Sequence, residues 1–317
     1  MNILITNISY HCSIGVIKLI RRLNNDNYFI VGCSNIPYGY SSGSLLVDAF
    51  IEVSDSSNSK EYLQQLTDIC ERYNIDHIIS TDENEQILFN TEKSYFQYKT
   101  ILVSPQIVNL FTHKFEATKT VKNIGLKTPH IYTLSELKTL DNCKLIIRDN
   151  VSCCSYGIHI IENLDIAEIK KYLNSKSFAQ EYISGDEYTV DVLSDKNGIP
   201  INIIPRKRLS IRGGITYKCI IENNELLINE CKKIYRHYKI PGFSNVQFIL
   251  KNNFAYFIEL NPRLGGTTIA SSIAGDNLVE LYLNHFVNND SLHKSKIKWN
   301  TVVTRYYEET SFLLEDN

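Results

Sequence analysis

The 317-residue chain lacks a strong net charge: 33 Lys and Arg stand against 35 Asp and Glu, a formal balance of −2. That removes the electrostatic reason to expect nucleic acid or an anionic membrane as a partner. No apolar run approaches the length of a membrane span. The start, Met1-Asn2-Ile3-Leu4-Ile5, is too short and polar-flanked for the hydrophobic region of a secretory signal. The eight cysteines form no CxxC pair, and the adjacent Cys153-Cys154 suit neither zinc spacing nor ordinary bridging. They read as reduced thiols of a cytoplasmic protein. A Walker A sequence is missing, which excludes a P-loop. Thr6 to Gly15 holds one glycine where a dinucleotide fingerprint needs several, so NAD is not expected. There is no repeat, low-complexity tract or coiled coil, and no Ser-His-Asp or Cys-His pattern is indicated.

What remains is an ordinary globular composition, 43% hydrophobic and 21% charged, long enough for two or three domains. Residues 2 to about 105 alternate strand and helix patterns. Ile3–Ile5, Tyr28–Cys33 and His77–Ile79 read as strands, and Ile14–Leu23, Glu61–Tyr73 and Gln86–Phe96 as helices, a rhythm that predicts a parallel sheet. Ligands favour the carboxyl ends of such strands. Ser9, Tyr10, His11 and the Asp82-Glu83-Asn84-Glu85 loop are therefore either substrate contacts or helix-capping polar surface. Next come a helix over Ile107–Gly125 and strands at Leu145–Arg148 and Gly157–Ile161. From about 176 long strands dominate, with helices at Glu222–Tyr238 and Ile273–Phe286.

The stretch Tyr256 to Gly266 carries the most chemistry. Glu259 and Asn261 are two apart in a strand pattern and leave the same face, with Arg263 just beyond. A carboxylate, an amide oxygen and a guanidinium suit a Mg²⁺–polyphosphate complex. The oxygens hold the hard cation, and the arginine meets the charge on the moving phosphoryl group. The preceding strand pattern, Asn245 to Leu250, makes a hairpin with it. A loop of odd length sets Gln247 on the face of Glu259, whereas a two-residue Asn-Asn loop sets it on the other; the chemistry calls for the first.

The pair Asn245-Val246-Gln247 and Glu259-Leu260-Asn261-Pro262-Arg263 resembles the metal-binding signature of the ATP-grasp superfamily, in particular single-chain proteins related to the carbamoyl-phosphate synthase large subunit. The likeness runs on through Gln180-Glu181-Tyr182-Ile183, Gly185 to Val192, Pro205 to Arg208, Gly213 to Lys218 and Arg305 to Glu309. It implies a fold both α/β and α+β: a Rossmann-like domain over residues 1–105, a lid lobe over 106–175 and a large lobe with the metal site over 176–317. It also implies ATP, with Mg²⁺ or Mn²⁺ on Gln247, Glu259 and Asn261. Lys114 and Arg148 would meet phosphates, and Ser155 and Gly157 would stand in a covering loop. The main chain of Glu181, Tyr182 and Ile183 would meet adenine, and Glu187 the ribose. The loop departs from the pattern, keeping only Gly157, with Ser152 for a usual glycine and Asp149 for a usual proline.

Arg206 and Arg208 alternate on a strand and share a face. They suit a substrate carboxylate or acyl-phosphate, or else guard a sheet edge. Lys218 is the candidate for the γ-phosphate, and Arg263 completes the catalytic set. The implied reaction is ATP-dependent joining of a carboxylate to an amine through an acyl-phosphate, with release of ADP. The alternatives are formation of a carbamoyl- or carboxy-phosphate, or a non-catalytic ATP-binding module. The expected partners are small-molecule carboxylates and amines, with a homodimer as the default assembly.

Overall fold

The computed structural model describes residues 1–23, 27–140, 144–152, 157–162 and 166–313. The chain opens with β1 (Asn2–Ile5), α1 (His11–Arg21), β2 (Phe29–Ser34), β3 (Ala49–Glu52), α2 (Ser59–Arg72) and β4 (His77–Ile79). The strands make a parallel sheet of order β3-β2-β1-β4. Ile3, Leu4 and Ile5 are fully buried, as a parallel strand covered on both faces requires. α3 (Glu83–Thr91) starts where Asp82 caps it by accepting from the Asn84 N–H at 2.9 Å. The turns after β1 and β4 thus bring Tyr10, His11, Asp82 and Glu83 to the carboxyl edge of the sheet. A short α4 (Lys93–Phe96) follows, so the single helix expected over Gln86–Phe96 is two.

The helix expected over Ile107–Gly125 is likewise divided, into α5 (Pro105–Thr112) and α6 (Lys114–Asn123). His113 between them is extended, with φ −91° and ψ 93°. Asn150, far along the chain, satisfies the first donors of α6: its carbonyl accepts from the Lys114 N–H at 3.0 Å and its side chain from the Phe115 N–H at 2.9 Å. A cap from elsewhere in the sequence starts this helix and fixes Lys114.

β5 (Ile131–Tyr132), α7 (Leu134–Leu137), β6 (Leu145–Asp149), β7 (Ile158–Ile161), α8 (Ile166–Tyr172) and β8 (Ser177–Glu181) follow. The four strands form an antiparallel sheet, β5-β8-β6-β7, over a small core containing Leu145, Ile147, Ile161 and Ala179. This sheet takes in Ser177–Glu181, beyond residue 175.

The rest is built on β9 (Asp186–Ser194), β10 (Pro200–Arg212), β11 (Ile215–Ile221), α9 (Glu225–His237), β12 (Gly242–Lys251), β13 (Phe254–Asn261), α10 (Thr268–Ala274), α11 (Leu278–Phe286) and β14 (Thr301–Thr304). The antiparallel sheet runs β13-β12-β9-β10-β11-β14. The helix expected over Ile273–Phe286 breaks at Gly275, and Asn277 caps the second piece. One face, with Val190, Val192, Val246 and Phe248, packs on α5, α6 and α9. Leu193, Ile204 and Phe243, on the opposite face, join the core shared with α1, α10 and α11. Two residues further along the same face, that surface turns polar: Leu193 gives way to Asp191, Ile204 to Arg206 and Phe243 to Asn245. The period of two that buries one end presents polar groups at the other.

The β12–β13 hairpin corrects the expected loop. Asn252 and Asn253 form a two-residue turn, with φ of 50° and 61°, the left-handed pair of a type I′ turn. On its own this would separate Gln247 from Glu259. A β-bulge intervenes: Phe248 pairs with Phe257 but Gln247 pairs with Glu259, leaving Ile258 extra. Ala255 and Phe257 face the core and so does Leu260, a change of parity that the bulge explains.

Candidate active site

A cleft of about 370 Å³ lies between the carboxyl edge of the first sheet and the polar end of the six-stranded sheet. Tyr10, His11, Asp82 and Glu83 line one wall; Arg206, Arg208, Gln247, Glu259, Asn261 and Arg263 line the other. The Gly265–Gly266 turn closes one side. A Cβ on Gly266 would meet His11 Nε2 at 2.3 Å, so any larger residue there would have to push the imidazole aside.

Glu259 is the most densely bonded carboxylate of the second wall. Its Oε1 accepts from Gln247 Nε2 at 2.8 Å and from Asn261 Nδ2 at 3.3 Å. Its Oε2 meets Arg148 Nη2 at 3.2 Å. Burial works to raise its pKa, but Arg148, Lys114, the Asn261 bond and Arg263 outweigh it and hold the group below the usual value. Asn261 Nδ2 also reaches Asn245 Oδ1 at 3.2 Å, and Asn245 donates to the Arg263 carbonyl at 3.3 Å. Gln247 in turn accepts from Arg208 Nη1 at 3.3 Å. Oxygen donors and cations are thus interlocked on one surface.

The two arginines of β10 share that surface. Arg206, almost fully buried, grips Asp191 through Nε at 2.8 Å and Nη2 at 3.3 Å. Arg208 donates to Thr216 Oγ1 at 3.0 Å and the Gly214 carbonyl at 2.7 Å, and meets Glu187 at 3.2 Å. Asp191 also accepts from Thr268 at 3.2 Å and Ser271 at 2.6 Å, while the Gly265 N–H donates to Thr268 Oγ1 at 3.1 Å. That N–H is therefore already used. Asp191 ties β10 to the glycine turn, a role that its place in a strand pattern did not reveal because its partners are remote in sequence.

Other expected site residues lie at different distances from the cleft. Lys114 is buried and donates to the carbonyl of Ser152, a cleft-lining residue. Arg148 spans from β6 to β13, bonding Glu259 and the Ile258 carbonyl (3.4 Å). Glu187 reaches the cleft only through Arg208. Glu181 ends β8, and Tyr182 and Ile183 follow it; the Glu181 N–H goes to the His130 carbonyl at 2.8 Å and the Tyr182 N–H to that of Lys144 at 3.4 Å. Gly157 immediately precedes β7, and its carbonyl accepts from the Asp149 N–H at 3.2 Å. Lys218 is not brought into the cleft. Register shifts in β10–β11 pair it with Ser210 and turn it to solvent, while Thr216 faces inward. Ser155 and Cys153-Cys154 lie outside the described residues.

Arg305, beyond β14, donates to the Gly266 carbonyl. With Arg263 it reinforces burial in pushing His11 down to about 4, so this imidazole is neutral near pH 7. Among the described residues the cysteines are free thiols. No helix there is long and apolar enough to cross a membrane.

The residues present fit a divalent cation with a polyphosphate. One carboxylate and two side-chain amides cannot complete an octahedral shell alone, but phosphate oxygens would. Arg148 Nε is buried without a hydrogen-bond partner, a donor for which an anion would be the natural acceptor.

Residues 175–310 match the family model described as ATP-grasp in the biosynthetic pathway with Ter operon. The chain is 25% identical over 254 residues to tyramine–L-glutamate ligase of Methanocaldococcus jannaschii, covering 78% of this chain and 74% of that one. It is 26% identical over 173 residues to D-alanine–D-alanine ligase of Fusobacterium nucleatum, covering 51% and 60%. The fold is similar to N5-carboxyaminoimidazole synthetase from Staphylococcus aureus complexed with ADP, at a TM-score of 0.74, 18% identity and coverage of 94% and 80%. Residues 175–310 thus carry the ATP-grasp match, and the relatives and the fold are similar to the chain beyond that segment. The narrower likeness to carbamoyl-phosphate synthase relatives finds only loose support among these matches.

Proposed function

We propose that this ATP-grasp protein is an ATP-dependent carboxylate–amine ligase that forms an amide through an acyl-phosphate. The observation that carries it is the single face on which Glu259, Gln247 and Asn261 adjoin Arg206, Arg208 and Arg263. The named ligases among the relatives favour the same chemistry.

Gln247, Glu259 and Asn261 would hold Mg²⁺, or Mn²⁺ in its place, and that ion would neutralise charge on the phosphates and orient them. Lys114 and Arg148 are the phosphate cations, Glu181 to Ile183 the adenine edge and Glu187 the ribose contact, with Ser155 and Gly157 in the covering loop. Arg206 and Arg208 receive the substrate carboxylate. Its oxygen attacks the γ-phosphoryl group, and Arg263 stabilises the charge that develops. ADP leaves in that step, and the acyl-phosphate carries phosphate in place of oxide as the leaving group; the amine displaces phosphate with loss of a proton, so no side-chain nucleophile is needed. Lys218, turned to solvent, is left out of this scheme. Residues 1–105, 106–175 and 176–317 serve as substrate domain, lid lobe and metal-bearing lobe, in a cytoplasmic, homodimeric protein.

The test is ADP release with pooled carboxylic acids and amines. Release that needs both a carboxylate and an amine supports the ligase; ATP binding without ADP under every pool overturns it.

A further inference from the structure

Arg305, just beyond β14, is held by its backbone and holds with its side chain. Its N–H extends the ladder with β11, donating to the Tyr217 carbonyl at 3.0 Å, while its guanidinium donates to the Gly266 carbonyl. Gly265 and Gly266 line the cleft, and Arg305 does not. Among the described residues no carboxylate lies within ion-pair distance of this half-buried cation. Burial and the nearby charge of Arg206 hold its pKa below the ordinary arginine value. A cation withdrawn from water beside a like charge costs stability, so an ion pair does not account for its place. The hold on the glycine turn does. Arg263 hangs on that turn: its Nη1 donates to the Leu264 carbonyl at 3.2 Å, and its own carbonyl accepts from Asn245 at 3.3 Å. A shift of the turn backbone carries the Arg263 guanidinium with it.

Beyond Arg305 the chain crosses to the elements of the opposite wall. Glu308 pairs with Lys18 of α1 at 2.5 Å, and Phe312 sets its ring edge-on to Tyr38, after β2, with 5.3 Å between centroids. Gly39 lies in the left-handed region at φ 79°, and a Cβ there would meet the Phe312 ring at 2.3 Å. The ring is thus seated against bare backbone. An exposed ion pair contributes little, which makes the Phe312 seat the stronger anchor. We propose that Arg305 is a positioning residue: residues 305–312 form a strap, fastened to the parallel-sheet unit, that fixes the glycine turn and with it Arg263 through the Gly266 carbonyl. The catalytic consequence rests on the ligase reading; the mechanical coupling does not.

Two readouts keep them apart. Amide hydrogen exchange needs no substrate and follows Gly265 and Thr268, whose N–H groups bond within the turn at 3.1 Å each. Arg305→Ala should quicken their exchange about tenfold or more, the scale of one lost charge-assisted hydrogen bond. Arg305→Lys, which still offers a donor, should recover part of the protection. Phe312→Ala combined with Glu308→Gln should quicken the same amides in the wild-type background and add nothing in Arg305→Ala, because the strap acts through that one contact. Unchanged exchange in Arg305→Ala, or additive effects, overturn the strap. In ADP release with pooled carboxylic acids and amines, Arg305→Ala should lower kcat while KM for ATP stays near the wild-type value; an unchanged kcat overturns the positioning role. Wild-type protein that releases no ADP under any pool sinks the ligase reading, and the exchange result then decides the strap by itself.

Discussion

Arg148 of the four-stranded sheet and Glu259 of the six-stranded sheet meet at 3.2 Å, joining two separately built units through one ion pair. Both groups are largely withdrawn from water, so removing one strands the other. Arg148→Met should lower unfolding free energy by roughly 3 kcal/mol, and adding Glu259→Gln should restore much of the loss. Denaturant melts of the single and double variants measure the coupling; additive losses would mean that the pair contributes nothing.

Glu259→Gln and Asn261→Ala should each reduce ADP formation by roughly a hundredfold to a thousandfold, the scale seen when one charge-organising group is removed from a site. Circular dichroism should remain that of the wild type. Lys218→Ala, on a solvent-facing position, should stay near wild-type rate. Full activity in either of the first two variants contradicts the metal assignment.

Asp191→Asn should act through Arg206 and the glycine turn. A neutral amide cannot hold the guanidinium and both hydroxyls as the carboxylate does, so KM for the carboxylate substrate should rise more than KM for ATP. Steady-state kinetics with each substrate varied in turn make the comparison. Equal changes in both constants would point to a general loss of structure.

Glu85 predicts a pH effect away from the cleft. Its buried carboxyl bonds Thr6 at 2.6 Å together with Ser80 and Tyr62, and burial pushes its pKa up to about 7. Between the ordinary glutamate value and about 7 the folded state holds more protons than the unfolded chain, so this group's contribution to stability falls as pH rises through that window. The change amounts to roughly 3 kcal/mol at 1.36 kcal/mol per pKa unit. His77 and His11, both pushed down to about 4 chiefly by burial, act in the opposite sense, because their neutral forms are favoured in the fold. The observable is therefore the difference between wild type and Glu85→Gln, whose stability gap should change between pH 5 and 8. A constant gap contradicts it.

The features legible in the sequence were those with a short period. Ile3 to Ile5 announced a buried parallel strand, and Glu259 with Asn261 announced a shared face, because alternation is set within a few residues. β3 escaped notice because Ala49–Glu52 is short and half-exposed. The break at His113 was not readable, since the group that caps α6 is Asn150. For the same reason Asp191 gave no sign of its links to Arg206, Thr268 and Ser271.

The extra residue at Ile258 has a consequence for how such a hairpin tolerates insertions and deletions in evolution. Loss of Ile258 would slide Glu259 into the regular ladder, still opposite Gln247, at the cost of local twist. A residue gained at the Asn252-Asn253 turn and taken up by the strand rather than by a longer loop would instead shift the whole register and point the carboxylate at the core. Two length changes only a few positions apart therefore carry unequal penalties. Lineages of this hairpin should vary in length at the bulge before they vary at the turn.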